Sequence, residues 1–137
     1  MRGEKIGTKR GLLWGAGGFI AFVLAPSLGL PPELPGMVAS DILARQTWWI
    51  ATAVASIVSL WLLVFSEKIY YKTLAVIIAL TPHLIGAPHP EVLSANGVPP
   101  ELAAQFVTVS IAVGGLFWAL IGGFSGYFYE RLERTDS

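Results

Sequence analysis

The chain has no cysteine and little charge, and each shortage closes off a class of function. Without cysteine there are no disulfides, no thiolate metal sites and no thiol nucleophile. Histidine, carboxylates, methionine and backbone carbonyls are the metal ligands left. Charged residues make up 13% of the 137 positions, against about a quarter in soluble domains. Lysine plus arginine equals aspartate plus glutamate at nine each, so no net charge draws a polyanion such as nucleic acid. Catalytic signatures are missing too. There is no phosphate-cradling glycine loop, no nucleophile elbow and no metalloprotease histidine pair, and Ser27, Ser110 and Ser125 lack an identifiable base. The chain is expected not to be an enzyme.

What is present is apolar, at 54% hydrophobic residues. Uncharged or nearly uncharged stretches run from Gly11 to Gly29, Gln46 to Phe65, Ile69 to Ala87 and Phe106 to Phe128. About 20 helical residues cross roughly 30 Å of hydrocarbon. None of the stretches carries the polar stripe of a soluble amphipathic helix, and open strands cannot satisfy their backbone in lipid. The expectation is an all-α membrane protein, residues 1–137 forming one domain of four transmembrane helices. A basic start before an apolar run also fits a signal peptide, but Ala25-Pro26-Ser27 makes a poor cleavage site.

If the spans alternate, Arg2, Lys5, Lys9, Arg10, Lys68, Lys72, Arg131 and Arg134 share one side, and Arg45 stands on the other. The positive-inside rule then places both termini in the cytoplasm. Trp48, Trp49, Tyr127 and Tyr129 fall near span ends, as interfacial aromatics do.

The two links on the opposite side resemble each other. Pro31-Pro32-Glu33-Leu34 echoes Pro99-Pro100-Glu101-Leu102, each after an Ala-Pro and before a small-residue run. Two helix–loop–helix units of like orientation, a parallel repeat, follow from this pattern. Proline at a first helical position followed by a carboxylate is an ordinary helix start, so Glu33 and Glu101 are each expected to open a short helix.

Both histidines lie in Pro82-His83-Leu84-Ile85-Gly86-Ala87-Pro88-His89-Pro90. His83 is about 15 Å along the helix from Thr73, a depth at which an ionisable group is a functional candidate. Pro82 removes the hydrogen bond to the Ile78 carbonyl, which suggests a broken helix. His83 and His89 with Glu33, Asp41, Glu91, Glu101 and Met37 would make a nitrogen- and oxygen-rich vestibule suited to a divalent first-row metal rather than a soft one. The competing reading is a neutral His83 bonded between helices. Asp41 and Arg45, four apart, are spaced to pair across one turn. Gly11 and Gly15, Ala51 and Ala55, and Gly122 and Gly126 have small-xxx-small spacing for close helix packing.

GLPPELPG at 29–36, ARQTWW at 44–49, PHLIGAPHP at 82–90 and VPPELAAQF at 98–106 resemble the CbtA family of predicted cobalt transporter subunits, in order and over nearly the whole chain. The resemblance implies divalent-metal uptake in a prokaryotic cytoplasmic membrane, with cobalt or nickel as the expected ion, a link to cobalamin metabolism and a small partner subunit. It also implies that His83 and His89 match family histidines. Family members usually carry a further membrane portion before the GLLWG segment, so a shortened amino terminus is expected. The alternatives are a structural accessory subunit of a respiratory or photosynthetic assembly and, more remotely, a haem or pigment subunit using His83. Four helices hardly enclose a conduit, so a homo-oligomer or other membrane subunits are expected as partners.

Overall fold

The computed structural model describes residues 7–37, 39–90 and 98–135, and these contain helices and no strand. Helix α1 covers Thr8–Ser27 (20 residues), α2 Ile42–Phe65 (24 residues), α3 Ile69–Ile85 (17 residues) and α4 Pro100–Thr135 (36 residues). Helices α1, α2 and α4 are long and apolar enough to cross a membrane. Helix α3 spans about 26 Å and α4 about 54 Å at 1.5 Å per residue, so α3 is at the short limit for a crossing and α4 exceeds one.

Local chemistry sets the ends. The Asp41 carboxylate accepts the Ala44 N–H at 2.9 Å and caps α2. Asp41 is therefore engaged locally, and Arg45 pairs elsewhere. Ser66 leaves helical geometry, and a three-residue turn returns the chain into α3. Helix α3 runs through Pro82 to Ile85 and stops at Gly86, whose φ of 91° suits a residue without Cβ. The helix is thus unbroken at Pro82, contrary to the expectation, because the buried proline is held by packing. Helix α4 begins at Pro100, with Glu101 in its first turn. The second Pro-Pro-Glu-Leu accordingly opens the long helix itself. The first lies in irregular chain, so no short helix forms at Glu33.

Near its end α1 widens into a π-helical turn, Ile20–Leu24, where the Ala25 N–H reaches back to the Ile20 carbonyl. Pro26, buried just beyond, has no N–H to donate. The shifted register re-pairs the backbone around that gap.

Two helix pairs organise the molecule. Helices α1 and α4 pack antiparallel at backbone contact. A Cβ on Gly11 would collide with the Gly122 carbonyl and lie 2.9 Å from Gly126 N, and one on Gly126 would lie 2.5 Å from the Gly7 carbonyl. Further along, Gly15 meets the Trp118 backbone and Val23 covers Gly114. Helices α2 and α3 form the second pair as a tight hairpin, with Ala75 fully buried. The end of α1 joins the pairs by packing on α2, where Phe22 lies 6.1 Å from Trp49. Both chain ends of the described structure therefore lie at one end of the molecule, and the described parts of the two links, 28–37 with 39–41 and 86–90, approach each other at the opposite end, the link end below.

The buried apolar set is small: Ala21, Trp48, Ala53, Leu62 and Ala75, joined by Thr52, Ser56 and Ser59. These hydroxyls donate to carbonyls four residues back at 2.7–2.9 Å, so they pack without an unpaired group. Large residues face outward instead, with Leu84 82% and Trp14 71% exposed. Small residues inside and apolar residues outside are what helix association in lipid requires.

Candidate functional site

At the link end, helix α2 gathers residues from two separate links. The Trp48 indole N–H donates to the Pro82 carbonyl at 3.2 Å, and its ring meets His83 edge-on at 5.7 Å between centroids. The same carbonyl accepts the Gly86 N–H at 3.0 Å. Pro82 and the end of α3 are thus fastened to α2 by a buried side chain. Gly29 also sits against the Trp48 ring, so closely that a Cβ there would collide with the indole, 2.6 Å from its Cζ2.

One turn before Trp48, the Arg45 guanidinium pairs with Glu33 at 2.9 Å. Arg45 and Trp48, three apart on a helix, share a face, so the Glu33–Arg45 pair lies one turn along α2 from the Trp48–His83 contact. A second tie joins the links, where the Ser40 hydroxyl donates to the Pro88 carbonyl at 3.1 Å. Three of the sequence blocks singled out above, around Glu33, Arg45–Trp49 and Pro82–Pro90, therefore meet at one end of the molecule.

The remaining candidates are less gathered. His83 is half-buried and His89 exposed. Glu101 is exposed at the start of α4 and joins none of these contacts. Pro31, Pro99 and Pro100 are exposed and Pro32 half-buried. The Pro99 carbonyl accepts the Leu102 and Ala103 N–H groups and so starts α4. Among the described residues, no three of histidine, aspartate and glutamate come together as a metal-holding group. Glu91 of the expected vestibule, with Arg2 and Lys5 of the charge pattern, lies outside the described residues.

Beside the Trp48 contact a largely apolar groove of about 840 Å³ runs between α2 and α3, with Asp41, Thr47 and Thr81 as its polar lining. It faces away from His83, because the groove takes Ile78, Thr81, Pro82 and Ile85 from α3. Sequence reading missed Arg45 and Trp48 as parts of the site. Their adjacency in ARQTWW was visible, but their partners lie 12 and 34 residues away.

A family model described as "Probable cobalt transporter subunit (CbtA)" matches residues 1–130. Comparison with curated proteins and with solved structures gives no match.

Proposed function

Because the chain belongs to the CbtA family of probable cobalt transporter subunits, we propose that it is the membrane subunit of a divalent-metal transport system that carries cobalt. The apolar helices and the family together make it an integral membrane protein. The observation that supports a metal-handling site is the junction of three sequence blocks at the link end, where Glu33 pairs with Arg45 and, one turn further along α2, Trp48 meets His83. His83 and His89, with Glu33 and Glu101, are the proposed cobalt ligands. Imidazole and carboxylate suit a first-row divalent ion.

In this reading all four helices span the cytoplasmic membrane, with both termini inside. Lys9, Arg10, Lys68, Lys72, Arg131 and Arg134 fall at the end bearing the termini and Arg45 at the link end, the distribution of the positive-inside rule. The two Pro-Pro-Glu-Leu segments then both face outward, as a parallel repeat in the sequence requires, although one lies in irregular chain and the other opens α4. Two helix pairs joined along one edge enclose no conduit, so the path forms with further copies or other subunits. Glu101, remote from the cluster within one chain, is brought in by such assembly.

The test is cobalt binding to the full chain purified in mild detergent. Stoichiometric Co²⁺, lost in both His83→Ala and His89→Ala, is the expected result. A folded protein that binds no Co²⁺ and co-purifies in a large complex would overturn the reading in favour of a structural subunit.

A further inference from the structure

We propose that Arg45 is the resident counter-ion of Glu33 in the metal-free protein and that an arriving divalent cation displaces it. The inference rests on the metal-transport reading above and assigns a role to a residue outside the proposed ligands. Arg45 is the sole basic residue between Arg10 and Lys68 in the sequence. It is also the one such residue placed at the link end, where a cation would enter. A guanidinium fixed at that mouth repels a dication. The repulsion falls once Glu33 changes partner and the arginine swings away.

The geometry favours such an exchange. The two side chains meet at 2.9 Å, yet Arg45 is 28% and Glu33 25% exposed, so water reaches both and the pair contributes little to stability. Asp41, the nearest alternative partner on the same helix, is engaged with the Ala44 N–H. Glu33 sits in irregular chain, free of the helical backbone that holds Arg45. A carboxylate on a link can turn from an arginine to a metal more readily than one on a helix. The device also limits affinity, because the metal must always compete with a tethered cation, and conduction requires a site that releases what it binds.

The experiment measures Co²⁺ affinity and release for the full chain in lipid nanodiscs. Arg45→Gln, which removes the competing charge, is expected to tighten Co²⁺ by about tenfold or more and to slow its release. Arg45→Lys, which keeps a charge, shows a smaller gain. Glu33→Gln weakens binding, and in that background Arg45→Gln no longer tightens it. Helical circular dichroism confirms that each variant folds. If Co²⁺ binds in a His83-dependent way but Arg45→Gln leaves affinity unchanged or weaker, Arg45 is only a structural latch and the inference is overturned while the transport reading stands. If neither the wild type nor Arg45→Gln binds Co²⁺, both fall together.

Discussion

At the level of single residues, the structure separates hydroxyls and indoles that matter to the fold from those that merely find a bond. Trp48 spends its one donor on a carbonyl of another helix, the Pro82 carbonyl, and no nearby group replaces it. Trp48→Phe is therefore expected to cost about 1 kcal/mol, read as a lower unfolding temperature in detergent. It should also loosen His83, whose ring rests on the indole edge. Thr52 is fully buried on the same helix, but its hydroxyl donates to the Trp48 carbonyl one turn back within α2. That carbonyl already serves the helix, so Thr52→Val should change the unfolding temperature far less. If Thr52→Val proves the more damaging of the two, the indole bond is not the principal tie between α2 and α3.

Among the helices, the strongest packing joins the first to the last and the second to the third. The repeat suggested by the two Pro-Pro-Glu-Leu links would put α1 with α2 and α3 with α4. The reason for the observed pairing lies in glycine: Gly11, Gly15, Gly122 and Gly126 let the backbones of α1 and α4 touch. No comparable row of glycines exists on α2 or α3. A methyl group at Gly11 has only backbone to meet, and backbone cannot turn aside as a side chain can. Gly11→Ala should therefore cost about 1–3 kcal/mol as the helices separate. Gly17, on the same helix, has nothing within 4 Å of where its Cβ would lie, and Gly17→Ala is expected to be neutral or slightly stabilising. Reversible unfolding of the two variants in a graded detergent mixture compares them directly, and equal losses would remove the close approach as the cause.

For the whole molecule, the absence of cysteine makes topology directly measurable, since any introduced cysteine is the only thiol. Glu67 lies in the α2–α3 turn and Glu101 at the start of α4, at opposite ends of the molecule. With both termini inside, a membrane-impermeant maleimide added to intact cells should label Glu101→Cys and spare Glu67→Cys until the membrane is opened. Labelling of both from outside would mean that α3, the helix between them, does not cross as proposed. The short α3 is the helix most exposed to that outcome. Its 17 residues reach about 26 Å, a little less than the roughly 30 Å of hydrocarbon, while α4 carries Arg131 and Arg134 well past that thickness.

The sequence by itself determined the membrane-type composition, the helical state of each apolar stretch and the family, because hydropathy and short motifs are properties of neighbouring residues. It also placed the helix starts only roughly. Phe106 was the expected beginning of the last span, yet Pro100, already suited to a first helical position, begins the helix and adds more than a turn. Tertiary structure alone decided which helices pair, that α3 passes unbroken through Pro82, and that Arg45 faces Glu33 rather than Asp41. Each of these depends on what stands opposite a residue in space. Asp41 and Arg45 have the spacing to pair, but the nearer Ala44 N–H captures the carboxylate and leaves the guanidinium to a glutamate that only folding brings within reach.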